Sequence, residues 1–274
     1  MSERGVPSAS GVDTRAPVPT VEVAGIKVAD ASVEQILADV RRAVLAEDRS
    51  PQIYFALHVG GLKLASVGAY VQAMNSARMT YADGMSVVLL AKLGGARQIE
   101  RAGTTDIGVP IIEAAQQALG RPLRVALIGG PPGLAESAGE ALRERTGCEV
   151  CLTAEGYSAD FGPVLAEIRD LAPDLLVVGM GMPTEAHWVV ENLPEITASL
   201  VVTCGGWMGF LVGQERRAPV ALQRAGLEWT YRLAQDPRRL VRRYLGGAFV
   251  WLRLAVALRT AVIPGVLSFW TIRS

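Results

Sequence analysis

Residues 78–94 read Arg-Met-Thr-Tyr-Ala-Asp-Gly-Met-Ser-Val-Val-Leu-Leu-Ala-Lys-Leu-Gly. A short strand-like run ends at Asp83-Gly84, and an apolar helical run follows that stops at Gly94-Gly95. A carboxylate therefore stands where a strand hands over to a helix, the edge at which open α/β sheets bind ligands. Two readings of Asp83 follow. An Asp before an apolar helical run is a common N-cap. A carboxylate at such an edge is also placed to act as general base on a hydroxyl. On these residues alone the cap stands first, and the two roles are compatible. Asp106, after Thr104-Thr105, carries the same pair of readings.

Working outward, Val21–Val28 alternates as a hairpin or edge strand does. Ser32–Glu47 has apolar residues at Val33, Ile36, Leu37, Val40 and Val44, a helical stripe. Ser32 is placed to cap it, with Gln35 completing a capping box. Ile53–Val59 predicts a strand, Lys63–Ser76 a helix, and Met79–Ala82 the strand that leads to Asp83. Beyond Gly95 the pattern continues with helix Thr105–Leu119, strand Arg124–Ile128, helix Leu134–Thr146, strand Glu149–Ala154 and helix Phe161–Leu171. Strand Asp174–Val178, a helix from Thr184 and strand Ser199–Thr203 complete it. Strands alternating with helices at this spacing predict an α/β protein. Its sheet is mostly parallel with helices on both faces, a Rossmann-like α/β/α arrangement.

Three glycine loops follow strands of that sheet: Gly129-Gly130-Pro131-Pro132-Gly133, Gly179-Met180-Gly181-Met182-Pro183 and Gly205-Gly206. Glycine lets a ligand approach the backbone, and a helix N-terminus favours phosphate. The first loop departs from Gly-x-Gly-x-x-Gly, and a tight turn with no ligand explains it equally well. Three such loops at one edge favour a cleft there more than any one of them does.

The 274 residues are half hydrophobic and one fifth charged, enough for a sizeable core and against wholesale disorder. The formal net charge of zero hides an asymmetry. From residue 216 on, eleven Arg face only Glu228 and Asp236, a balance of +9, which leaves −9 on the rest. The organisation expected is a loose tail at 1–20, an α/β domain at 21–215 and a basic, amphipathic helical appendage at 216–274. Arg238, Arg239, Arg242, Arg243 and Arg253 fall within an arc of roughly 140° on an ideal helix. A solvated charge face, nucleic acid and anionic lipid with diphosphate are the three readings of that cluster. The apolar run 248–270 is interrupted by Arg253, Arg259 and Pro264, which suits an interface better than a membrane span. Three Cys without disulfide spacing suit a reducing compartment. His58 and His187 are the only histidines, neither lies in a ligand-pair spacing, and no Asp-x-Asp occurs. Neither a metal nor a cofactor is expected. Cys148-x-x-Cys151 reads as structural, since residues three apart on a strand face opposite ways.

Taken together, the motifs resemble the WecG/TagA/CpsF glycosyltransferase family. They are Tyr81-Ala-Asp83-Gly84-Met-Ser-Val-Val, Leu127-Ile-Gly129-Gly130-Pro-Pro-Gly133-Leu-Ala-Glu136 and Val178-Gly179-Met-Gly181-Met-Pro183 with Trp188. Arg217-Ala-Pro219, Gly226-Leu-Glu-Trp229-Thr-Tyr231-Arg232 and Pro237-Arg238-Arg-Leu-Val-Arg-Arg-Tyr244 complete the set. The resemblance covers about residues 21–250. It implies metal-independent, inverting transfer of a sugar from a UDP-sugar to a polyprenyl-diphosphate-linked acceptor at the inner face of the cytoplasmic membrane, in cell-surface polysaccharide assembly. Asp83 would be the general base. Gly129, Gly130, Gly133, Gly179, Gly181, Pro183, Glu185, Gly205, Gly206, Thr105 and Asp106 would line the donor site. His58, Arg217, Arg232 and Arg238 would meet the acceptor or a diphosphate, and the appendage would meet the membrane surface, with no nucleic acid partner. Apolar surface near the appendage suits a homo-oligomer as readily as lipid.

Several positions depart from the family pattern. Ala56-Leu57-His58 stands where Thr-x-Asn is usual, Glu185 where Gln is, Met208-Gly209 where Phe-Asp is, and Thr104 where Gly is. The donor therefore need not be the family's common UDP-N-acetylmannosamine. Two rival readings are a nicotinamide-dependent Rossmann oxidoreductase, with Glu155 as the ribose-binding acid, and a non-catalytic nucleic-acid binder using the Arg helices.

Overall fold

The structure is a computed structural model describing residues 18–47, 50–215, 218–219, 222, 228–235 and 249–258. An antiparallel hairpin, β1 (Thr20–Val23) and β2 (Ile26–Ala29), precedes α1 (Val33–Val44). Six strands then alternate with helices: β3 (Gln52–Leu57), β4 (Met79–Ala82), β5 (Arg124–Gly129), β6 (Glu149–Ala154), β7 (Leu175–Gly179) and β8 (Leu200–Thr203). They form one sheet in the order β4-β3-β8-β7-β5-β6, with every pairing parallel. The predicted α/β class and the Rossmann-like layering are what the chain adopts.

The connections are α2 (Val59–Leu62) and α3 (Gly68–Ser76), then α4 (Met85–Leu93) and α5 (Thr104–Leu119). They continue with α6 (Leu134–Thr146), α7 (Gly162–Leu171), α8 (Thr184–Glu191) and α9 (Trp207–Leu211). Alternating strand residues feed two separate cores. Tyr54, Ala56 and Tyr81 point with Val125 and Val177 into the layer of α1, α5, α6 and α9. Ile53, Phe55, Leu57 and Val178 point into the opposite layer of α3, α4, α7 and α8. The period-two side-chain alternation of a strand produces this split, and right-handed crossovers assign each helix to its face. Gly108 lets the Trp207 ring seat on α5, since a Cβ there would lie 2.3 Å from the ring.

Local signals explain most boundaries. The Ser32–Gln35 capping box forms in both directions. Gly120 and Gly147 end α5 and α6 in the left-handed conformation that glycine tolerates. The expected continuous helix Lys63–Ser76 is a correction. The chain turns after α2, and Val67 is extended at the start of α3. The turn brings the Tyr70 hydroxyl against Gly61, where a Cβ would lie 2.5 Å from it.

Of the basic appendage, Glu228–Gln235 and residues 249–258 are helical. The latter stretch packs on α4, where Trp251 Nε1 donates to the Ser86 carbonyl at 2.8 Å and Ala255 is buried. Arg217, Arg238 and the side chain of Arg232 lie outside the described residues, as do most of the tail 1–20 and the remaining appendage arginines of the predicted arc except Arg253.

Candidate active site

In a parallel sheet all strands end at one edge, so Asp83, Gly129, Gly179 and Cys204-Gly205 arrive together. His58 is beside Asp83, because Leu57 and Ala82 are register partners and the Asp83 N–H donates to the Leu57 carbonyl at 2.9 Å. The His58 Nδ1 accepts from the Gly60 N–H at 2.9 Å and caps α2.

Asp83 does not cap the helix it precedes. Gly84 is the N-cap of α4, which has no side-chain cap bond. Asp83 Oδ1 instead accepts from the Thr104 N–H at 3.1 Å, in the first turn of α5. The segment after α4 returns along β4, with the Ala102 N–H donating to the Ala82 carbonyl at 2.8 Å, and so lays the start of α5 beside Asp83. The cap reading is thus corrected in its partner: the carboxylate serves a helix 21 residues away.

A second carboxylate stands next to it. Asp106 lies in the first turn of α5 and is ion-paired to Arg101 Nη2 at 2.5 Å. Gly103 separates the two acids, for a Cβ there would lie 3.1 Å from both Asp83 Oδ1 and Asp106 Oδ2, and 3.3 Å from Arg101 Nη1. Arg101 was not singled out by sequence. Nothing local marks it; only the return of the chain along β4 brings it to the edge. Thr104 is buried and its hydroxyl lies 3.1 Å from that of Tyr81.

The glycine loops divide into two kinds. At Gly129 a Cβ would lie 2.5 Å from the Gly179 carbonyl oxygen, and at Gly130 2.3 Å from the Leu134 side chain. At Gly179 in turn a Cβ would lie 2.8 Å from Cys204 Sγ. Close packing within the protein accounts for these three. Gly181 and Gly205 differ: both have positive φ, and nothing lies within 4 Å of the position a Cβ would take. Gly133 at the start of α6, and Pro183 and Thr105, are at least partly exposed at this edge, and Gly206 is exposed.

Glu185 joins the second and third loops. It is only 1% exposed, and its Oε2 accepts from the N–H of Gly181 at 3.0 Å and of Gly205 at 3.1 Å. Burial pushes its pKa up to about 7, opposed by those backbone bonds and reinforced by the charge of Asp83. Burial also raises the Tyr81 and Cys204 side chains well above their ordinary values, with the charges of Asp83 and Glu185 adding to it. Among the departures from the family pattern, Ala56 and Met208 are buried in the core beneath this edge. Among the described residues, no group of three His, Cys, Asp or Glu is arranged to hold a metal ion.

On the outer face of α4 lies a separate apolar groove of about 510 Å³, between Leu89, Lys92 and Leu93 and the stretch carrying Trp251, Leu252 and Val256. Leu89, Phe249, Leu252 and Val256 are each about half exposed or more. No helix among the described residues is long and apolar enough to cross a membrane.

Comparison with known proteins gives one consistent answer. The profile described as "Glycosyl transferase WecG/TagA/CpsF family" matches residues 21–262. An N-acetylglucosaminyldiphosphoundecaprenol N-acetyl-beta-D-mannosaminyltransferase of Bacillus spizizenii strain W23 is 25% identical over 211 residues, 77% of this chain and 81% of the relative. The protein of that name from Staphylococcus aureus strain MW2 is 27% identical over 178 residues, 64% of this chain and 68% of the relative.

Proposed function

The chain belongs to the WecG/TagA/CpsF glycosyltransferase family, and from that premise we propose that it is an inverting transferase using a UDP-sugar. The sugar is a hexose or N-acetylhexosamine and the acceptor a polyprenyl-diphosphate-linked saccharide. The relatives' names specify such an acceptor for those proteins. The observation that carries the reading is Asp83. It is a half-buried carboxylate at the sheet's carboxyl edge, held by a backbone N–H and flanked by open glycine loops.

In this reading Asp83 takes the proton of the acceptor hydroxyl as its oxygen attacks the anomeric carbon. The new oxygen–carbon bond forms on one face of the ring. The bond to the diphosphate breaks on the other, and UDP leaves with the electron pair. Charge growing on the diphosphate needs fixed positive partners. Arg101, which borders Gly103 together with Asp83, is one candidate, and Arg217, Arg232 and Arg238 are the candidates from the appendage. The reaction as proposed calls on no metal or organic cofactor, arginines supplying the neutralisation. Gly181, Gly205, Pro183 and Thr105 border the donor, with the Gly129–Gly133 turn and Gly206 beside them, and His58 faces the acceptor side.

The half-exposed apolar residues around the α4 groove, next to Arg253 and the basic appendage, support docking on the inner face of the cytoplasmic membrane. Sedimentation with anionic liposomes but not with neutral ones is expected; binding to duplex DNA in place of liposomes would overturn it.

Transfer to a lipid-diphosphate acceptor, or slow donor hydrolysis, across a panel of UDP-sugars tests the function. Because Ala56, His58, Thr104, Glu185, Met208 and Gly209 depart from the family pattern, the panel includes glucose-type donors beside UDP-N-acetylmannosamine. Asp83→Asn should lower turnover by about 10²–10⁴-fold, the usual contribution of a general base. A variant as active as wild type would remove the assignment, and thermal protection by NAD but not by UDP would remove the reading.

A further inference from the structure

Glu185 lies in the first turn of α8, a position that on most helices looks into solvent. Here the side chain is 1% exposed. Its Oε2 accepts two backbone N–H bonds from loops belonging to different strands, Gly181 after β7 and Gly205 after β8. The Met180 N–H also favours its charged form. Among the described residues it has no ion-pair partner.

The groups facing it are acids or weak acids. Asp83 bears on it from the β4–α4 turn, Cys204 from the end of β8, Tyr70 from α3 and Tyr81 from β4. His187, on the same helix, has its ring 6.4 Å from that of Tyr70. A carboxylate of this kind is costly to bury, and amide donors alone offset the cost.

We infer that Glu185 is a positioning residue of the transfer reaction: its buried carboxylate fastens the loops after β7 and β8 to one another beneath the donor and sets a negative charge toward Asp83. The inference rests on the proposed role of Asp83. Two consequences follow from the ionisation of Glu185 near neutral pH. Both loop amides donate to one oxygen, Oε2, which accepts more strongly when the carboxyl is charged, as it is above about pH 7. A negative neighbour also makes Asp83 a stronger proton acceptor in that range.

The test measures kcat and KM from pH 5.5 to 9 and thermal unfolding over the same range, for wild type, Glu185→Gln and Glu185→Ala. Glutamine keeps an oxygen for the Gly181 and Gly205 amides but cannot ionise. Wild-type kcat should rise through a step near pH 7 that Glu185→Gln lacks. At pH 8 the Gln variant should turn over severalfold more slowly, with a smaller change in KM. Glu185→Ala should raise KM as well, since both loops lose their fastening. Should that variant fail to fold, Glu185→Gln carries the test.

The unfolding arm does not depend on activity. A carboxyl whose folded pKa is raised adds stability at low pH and loses it as pH rises through the folded value. The Tm of Glu185→Gln should therefore gain on wild type between pH 5.5 and 8. Superimposable kcat profiles would overturn the effect on Asp83, and a Tm difference independent of pH would overturn the ionisation. Absence of transfer by wild type with every UDP-sugar would count against the proposed function instead, leaving the Tm arm to decide whether Glu185 ionises.

Discussion

The two edges of one sheet treat the same chemical group in opposite ways. At the amino edge, Asp39 of α1 is buried but surrounded by hydrogen-bond donors, two of them arginines. Arg78 approaches both of its oxygens, at 2.7 and 2.9 Å, Arg42 lies at 2.7 Å and the Tyr54 hydroxyl at 2.8 Å. Burial alone would raise its pKa, yet these bonds outweigh burial and hold it below the usual carboxylate range. Asp174, at the start of β7, is gripped likewise by both Arg121 nitrogens, at 2.6 and 2.7 Å. At the carboxyl edge, buried Glu185 rests on backbone amides and bears the charge of Asp83, itself an acceptor of the Thr104 N–H. An acid matched to arginine forks fastens a fold; a buried acid such as Glu185, facing another carboxylate, is pushed toward holding a proton.

The sharpest way to break this contrast is to make one chemical change at both ends. Asp83→Asn should cost the transfer reaction about 10²–10⁴-fold while leaving the unfolding midpoint nearly unmoved. Asp39→Asn should do the reverse. It should lower stability by about 2–3 kcal/mol, because two arginines and a buried phenol lose their anion, and leave turnover per folded molecule unchanged. Urea titrations and steady-state rates on both variants decide the matter. The acid limb distinguishes them again. A lowered folded pKa gives stability that is present above the unfolded value, near 3.8, and lost as pH falls through the folded one. Wild type should therefore lose more stability than Asp39→Asn below about pH 4.

Arg101→Gln should have an intermediate effect. It removes the ion pair of Asp106 and a positive charge beside Asp83, so kcat/KM should fall about tenfold to a hundredfold, most at low salt. The smallest change lies away from both ends: Ser32→Ala removes a helix cap and should cost about 1 kcal/mol with no change in kinetics. A kinetic effect there would mean that the edges are coupled through α1.

Much of the molecule was legible because its signals are local. Alternating apolar periods gave the strand and helix order, and the Ser32–Gln35 box, Gly120 and Gly147 mark real helix ends. The site was legible only in outline. Asp83 could be placed at a strand–helix junction, but its hydrogen-bond partner on α5 comes from the return of the chain along β4, which no window around Asp83 contains. Gly129 and Gly179 look alike in sequence to Gly181. The first two are glycine because β5 and β7 are neighbours and their ends touch, a consequence of strand order. From the residues around it Glu185 is an ordinary acid in a first helical turn, and only the family resemblance marks it; its burial comes from the loop after β8 folding over it.

The register of β3 against β8, Gln52 to Leu200 through Tyr54 to Val202, has a consequence for the chain as it is made. These strands open and close the parallel sheet in sequence yet lie side by side in its middle. Until residues 200–203 leave the ribosome, a nascent chain holds a two-stranded piece bearing Asp83 and a three-stranded piece bearing the glycine turns, with no shared edge between them. The last strand synthesised is the one that joins them. Translation thus delays the cleft until nearly the whole α/β body exists, and a chain stopped before residue 200 carries both halves of the site without the strand that unites them.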